Sequence, residues 1–185
     1  MKENISISIV IPVYNIEKYI HKCLTSAVNQ TFSAYEVIVI LDGPTDGSSE
    51  ICKRISLEHS EVKIIEQENR GLAAARNQGI RCASGDYIYF IDGDAYILPD
   101  TLESFVKLIQ TYGKADYIHG RTSGFYENEE QLDQDTYYLD NVWLPGGGDG
   151  QSAFVTILKH QNHLKMGVRG LYRRQFLLEN HLFFL

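Results

Sequence analysis

Basic residues are in short supply in this sequence. Seventeen Lys and Arg stand against 24 Asp and Glu, a net charge of −7. That balance excludes a protein held on nucleic acid by its phosphates, which needs a basic footprint. A small phosphorylated ligand remains compatible, provided a metal ion or backbone amides offset the repulsion. Cysteine is also scarce. Cys23, Cys52 and Cys82 show no C-x-x-C spacing, which speaks against a disulfide framework or a zinc site and fits a reducing compartment. No apolar run reaches the ~20 residues of a membrane span, and Met1-Lys2-Glu3-Asn4 does not open a secretory signal. No repeat or low-complexity tract is visible, and no G-x-G-x-x-G follows the first apolar run, which disfavours a dinucleotide oxidoreductase. What is present is an ordinary globular composition over 185 residues: 44% hydrophobic, 22% charged, with 12 Tyr and 8 Phe. That is enough for one domain with a real core.

The first 120 residues alternate strand and helix signals. Ile5 to Ile11 begins by alternating and ends as a β-branched run before Pro12, the pattern of a strand becoming buried on both faces. Asn15 is placed to cap a helix over 16–29, with Ile16, Tyr19, Ile20, Cys23, Leu24, Ala27 and Val28 as its apolar stripe. Further strands are expected at 37–41, 62–65 and 87–91. The helices between and after them are expected to carry Ile51, Ile55 and Leu57, then 71–82, then 101–112. Short strands separated by helices imply βαβ crossovers and a mainly parallel α/β sheet. Beyond residue 115 the pattern changes: a strand at 115–119, a polar excursion at 124–138, a glycine-rich loop at 143–150, a helix at 152–160, a strand at 168–172 and a helix at 173–180. The expected division is a ligand-binding half, 1–120, and the incomplete start of a second part, 121–185, in one continuous domain.

Ligands of such sheets sit beyond the carboxyl ends of the strands, so residues there carry the functional reading. Asp92-Gly93-Asp94 follows the fourth strand and can present two carboxylates to one hard cation, Mg²⁺ or Mn²⁺, shared with phosphates. The same three residues also fit a solvated acidic turn. Pro12-Val13-Tyr14 offers a rigid backbone and a ring for a base, or simply a strand end. Asp42 can accept the imino N–H of uracil, or form a turn before Gly43. Asn69 and Gly71 open the third helix, where Gly71 allows close backbone approach. Arg76 can meet a phosphate or a base edge, or pair with Asp92.

Four ordered segments, at 9–15, 42–48, 68–77 and 85–94, resemble the motifs of family 2 glycosyltransferases. Gly170-Leu171-Tyr172-Arg173-Arg174 resembles the family's later L-Y-R-R segment. The resemblance implies a GT-A fold and inverting transfer from a nucleotide-diphospho-sugar, a UDP-sugar favoured, to a carbohydrate or lipid-linked acceptor in surface polysaccharide synthesis. It implies Pro12, Val13, Tyr14, Asp42 and Arg76 around the nucleoside, Asp92 facing the ribose or a metal-bound water, and Asp94 on the metal. The implied setting is cytoplasmic, or peripheral at the inner face of the membrane in the full-length protein.

The sequence departs from that pattern in places. Leu41 and Ala95 stand where the family usually has acidic residues, and Pro44 where serine is common. The family's base, an Asp in a Glu-Asp pair after the L-Y-R-R segment, has no counterpart before Leu185; neither Asp149 nor Glu179 matches it. With its apolar end, Leu182-Phe183-Phe184-Leu185, the chain reads as cut from a longer one, expected to bind donor but to transfer it poorly or not at all. His160 and His163 lack a third metal ligand. Arg169, Arg173 and Arg174 can reach a phosphate or a lipid-linked acceptor, or serve solvated, helix-start roles. A sugar-nucleotide pyrophosphorylase would want a glycine-rich basic loop where Pro12-Val13-Tyr14-Asn15 stands. A non-catalytic nucleotide- or carbohydrate-binding module is the alternative reading.

Overall fold

The computed structural model describes residues 5–120 and 170–185. The chain begins with β1 (Ile7–Val13), α1 (Glu17–Val28), β2 (Glu36–Asp42), α2 (Ser48–Glu58), β3 (Val62–Gln67) and α3 (Leu72–Cys82). It continues through β4 (Tyr87–Phe90), α4 (Thr101–Tyr112) and β5 (Tyr117–His119) to β6 (Gly170–Arg173) and α5 (Arg174–Glu179). The segments expected at 124–138, 143–150 and 152–160, with His160, His163, Asp149 and Arg169, lie outside the described residues.

The six strands form one sheet in the order β3-β2-β1-β4-β6-β5. The first four are parallel, while β6 runs antiparallel to both β4 and β5. The sheet is thus mainly parallel, as the alternation of elements implies. Because β1 lies between β2 and β4, the chain winds outward in both directions from it, and the switch point falls at β1 and β4. In open α/β sheets the crevice outside the carboxyl ends at such a point is where ligands bind.

Every residue of β1 and β2 is buried, which explains their near-continuous apolar sequences. Ile7, Ile9, Ile11 and Val13 pack with α1, α2 and α4 on one face. Val10, Ile38, Ile40, Ile88 and Phe90 face α3 and α5 on the other. The α2 stripe is Ser48, Cys52 and Ile55. Leu57, expected on it, lies two residues past Ile55, about 200° around the helix, and is 88% exposed. Tyr19 sits at the edge of the α1 stripe and is partly exposed.

The amino edge of the sheet carries a buried carboxylate. Glu36, 1% exposed, accepts hydrogen bonds from the Ser8 hydroxyl (2.7 Å) and the Ser84 amide (2.6 Å) on Oε1, and from Lys63 (2.6 Å) on Oε2. Burial alone would raise its pKa. The bonds from Lys63, Ser8 and Ser84 outweigh burial and hold it below the ordinary glutamate value.

Candidate functional site

The loop after β4 closes tightly on the end of β1. A Cβ added at Gly93 would collide with Cδ1 of Ile16 and lie 3.2 Å from the Pro12 carbonyl oxygen. A side chain here would displace the tip of Ile16 and crowd the Pro12 carbonyl, so glycine gives the closest fit of this turn, with its two flanking carboxylates, against the end of β1. The turn is held from behind by the Ala95 amide, which donates to the Asp92 carbonyl (2.8 Å). The Cys23 thiol of α1 donates to the same oxygen (3.7 Å). Burial, then the neighbouring Cys52, Asp94 and Asp92, push the Cys23 pKa far up, so the thiol stays protonated as a donor.

Arg76 of α3 reaches across to this turn. Its Nη2 donates to Asp92 Oδ1 at 2.6 Å, with the arginine side chain 13% and the aspartate 36% exposed. The pairing that the sequence left open is therefore made. Asp92 keeps its second oxygen without a hydrogen bond among the described residues, and Asp94 is exposed.

Asp42, at the end of β2, is 3% exposed and organises the third loop. Its Oδ1 accepts from Gln67 Nε2 (2.6 Å) and the Arg70 amide (2.8 Å), and its Oδ2 from the Gly71 amide (2.9 Å). Three of the roughly four acceptor positions of a carboxylate are thus filled by its own chain. Gly71, with φ +86°, turns the backbone into α3 in a conformation that favours glycine. Asn69 and Arg70 are exposed on this loop.

The loops after β1 and β2 are cross-tied. Asn15 does not cap α1. Its backbone is left-handed (φ +50°), and its Oδ1 accepts from the Thr45 amide at 2.7 Å instead. The first α1 amides are taken by the neighbouring loop: Ile16 donates to Ser48 Oγ (3.0 Å) and Glu17 to Asp46 Oδ2 (3.0 Å). The Glu17 carboxylate in return accepts from the Gly47 amide (3.0 Å), and Asp46 Oδ1 accepts from the Ser48 amide at the start of α2 (3.0 Å). Pro12 and Val13 are buried at the end of β1, and Tyr14 stands 49% exposed at the mouth of the crevice.

Sequence reasoning missed Gln67 and Cys23. Gln67 sits opposite Asp42 in the β2–β3 register, which a pairing of the two strand ends would have shown. Cys23 lies on the inward stripe of α1 and carries no local sign of its contact with Asp92. Arg173 pairs with Asp116, Nε to Oδ1 at 2.7 Å, a structural contact between the β6 and β5 strands' ends. A groove of about 430 Å³ beside α1, lined by His21, Lys22, Thr25 and the 96–99 segment among others, contains none of these carboxylates.

The donor set at Asp92 and Asp94 fits a hard divalent cation, since Mg²⁺ and Mn²⁺ take carboxylate oxygens and complete their shells with water and phosphate. Among the described residues no cluster of three or more His, Cys, Asp or Glu forms a closed protein cage.

Compared with known families, residues 8–179 match the family described as "Glycosyl transferase family 2". The chain belongs to this family. The family 2 chain is 43% identical over 143 residues to "Glycosyltransferase GlyA" of Streptococcus pneumoniae serotype 4, which covers 74% of this chain and 20% of GlyA. Among solved structures, it resembles S. aureus TarS 1–349 in complex with UDP-GlcNAc, with a TM-score of 0.75 and 24% identity over 97% of this chain and 48% of that one. It also resembles the mannosyltransferase PcManGT of Pyrobaculum calidifontis in complex with GDP-Man and Mn²⁺. There the TM-score is 0.52 and the identity 28%, over 57% of this chain and 32% of that one. The chain therefore spans a fifth of GlyA and about half of the TarS fragment. Its sheet and helices are those of the GT-A fold. Among the described residues no helix is long and apolar enough to cross a membrane.

Proposed function

We propose that this chain is the donor-binding portion of an inverting glycosyltransferase that uses a nucleotide-diphospho-sugar, with a UDP-sugar favoured. The observation that carries the reading is the Asp92-Gly93-Asp94 turn, pinned against β1 at the switch point with Arg76 bonded to Asp92. TarS with UDP-GlcNAc and PcManGT with GDP-Man and Mn²⁺ lend support by likeness.

In this reading Tyr14, Pro12, Val13 and Asp42 flank the nucleoside. Asp42 has one acceptor position left for a base N–H beside the three bonds that fix its loop. Gly71 and Asn69 border the same pocket. Asp94 and the open oxygen of Asp92 would hold Mn²⁺ or Mg²⁺, which would supply positive charge to offset that of the diphosphate. Arg76 fixes the other oxygen of Asp92, so the carboxylate is oriented before donor arrives. In the transfer, an acceptor hydroxyl oxygen bonds to the anomeric carbon as the bond from that carbon to the phosphate oxygen breaks. The nucleoside diphosphate leaves with the electron pair, and the hydroxyl proton passes to a base on the opposite face. In this reading residues 1–120 supply donor binding and 121–185 begin the acceptor side. A carbohydrate or lipid-linked acceptor, and a place in surface polysaccharide synthesis at the cytoplasmic side, complete the proposal.

Calorimetric titration with UDP, with and without Mn²⁺, tests it. Binding should require the metal and be lost in Asp94→Ala. Equal binding with and without Mn²⁺ would refute the transferase reading in favour of a binding module.

A further inference from the structure

The segment after α5 makes contacts that neither the fold nor the donor pocket explains. Asn180 ends the helix by donating its side-chain amide to the Phe176 carbonyl (2.9 Å), and the chain reverses at His181, φ +52°. The Leu182 amide returns to the Leu177 carbonyl (2.9 Å). The backbone then runs onto α3. There the Asn77 side chain grips Phe184 at two points: its Oδ1 accepts the Phe184 amide (2.8 Å), and its Nδ2 donates to the Phe184 carbonyl (2.8 Å).

This grip sets the Phe184 ring between the two elements that carry the Arg76–Asp92 pair. Its centroid lies 5.1 Å from the Arg76 guanidinium carbon. It is also 5.2 Å from the Phe90 ring, edge to face, and Phe90 stands two residues before Asp92. Five residues further along α3, Arg81 lies 5.3 Å from the Phe183 ring, a second contact of the same kind. The Arg76 Nε is buried without a hydrogen-bond partner among the described residues. A guanidinium with a dry, unpaired N–H is held by its remaining contacts, here one bond to Asp92 and the ring.

Resting on the donor-binding reading, we propose that residues 181–185 form a positioning strap, with Asn77 as its anchor and Phe184 as the residue that seats Arg76 on Asp92. Without the ring, water reaches Nε and the guanidinium swings between Asp92 and solvent. The carboxylate then loses its fixed orientation toward the metal site. Phe184 touches no donor atom in this scheme; it acts through Arg76.

Two measurements on Phe184→Leu, Phe184→Tyr and Asn77→Ser test the strap. The first follows the Arg76 Nε–H resonance by ¹⁵N NMR with no nucleotide present. It should be resolved and slowly exchanging in the parent and in Phe184→Tyr, but averaged in Phe184→Leu and Asn77→Ser. The second is Mn²⁺-dependent UDP affinity, which should fall about tenfold in Phe184→Leu, the scale of one desolvated cation–π contact. It should be restored in Phe184→Tyr and show no further fall when Phe184→Leu is added to Arg76→Gln. An unchanged Nε–H signal in Phe184→Leu, or equal losses in the Leu and Tyr variants, overturns the strap. Failure of the parent to bind UDP with Mn²⁺ overturns the donor-binding reading instead, and the NMR result still decides whether Phe184 seats Arg76.

Discussion

Replacing Glu36 by Gln probes the amino edge of the sheet without touching the crevice at its other end. The carboxylate accepts from Ser8 and Ser84 on one oxygen and from Lys63 on the other. Glutamine keeps an acceptor for the first two but turns an NH₂ toward the ammonium. Hydrogen bonds to a charged group contribute ~1.5–3 kcal/mol each, neutral ones ~0.5–1.5. Two bonds therefore weaken by ~1 kcal/mol apiece, offset in part because a neutral amide is cheaper to bury than a carboxylate. Lys63 is 57% exposed, so its loss adds little. The expected net is ~1–2 kcal/mol, a fall in Tm of about 2–8 °C for a chain of this size.

The pH dependence distinguishes this cause from general damage. Glu36 has a pKa below its ordinary 4.5 in the folded chain. Its contribution is therefore complete above that value and is lost as pH falls through the folded pKa. The gap in Tm between parent and Glu36→Gln should be full at pH 7 and shrink steadily below pH ~4.5. Thermal melts followed by circular dichroism from pH 7 to 3 provide the assay. A gap that stays constant over this range would refute the assignment. Mn²⁺-dependent UDP affinity at pH 7 should be unchanged, since Glu36 lies at the opposite end of β2 from Asp42.

Gly93→Ala should destabilise the fold by ~1–3 kcal/mol, the usual range for an overpacked site, and should also weaken UDP binding, because the added methyl displaces the Ile16 tip and presses on the Pro12 carbonyl beside the turn. Denaturant titration and calorimetry on the same sample check both effects; wild-type values in either would contradict the close approach. Burial raises the pKa of Cys52 to about 12 and that of Cys23 further still. At pH 8 a thiol reagent should therefore modify Cys82 alone in the native chain and all three after denaturation. Native-state labelling of Cys23, located by peptide mass, would show that α1 does not pack as described.

The parts legible in the sequence are those governed by near neighbours. Helix α4 was readable end to end, Thr101–Tyr112, because Leu102, Phe105, Val106 and Ile109 recur at helical spacing. The positions of Asp92, Gly93 and Asp94 followed from the strand before them. What was not legible depends on partners distant in the chain. Glu36 looks like a polar residue ahead of a strand until Ser8 and Ser84, 28 and 48 residues away, close around it. Asn15 has the composition of a cap, but a left-handed backbone and the Thr45 amide redirect its side chain. The insertion of β6 between β4 and β5 was hidden too, since local pattern announces a strand and not its place in the sheet.

The mutual capping of α1 and α2 bears on how this fold can be recombined. Asp46 and Ser48 close the start of α1, Glu17 closes the turn that starts α2, and Asn15 holds the Thr45 amide. A chimera that imports the 42–48 turn from a homologue, leaving residues 15–17 in place, inherits half of a lock. Grafts of this turn should exchange the two segments as one cassette.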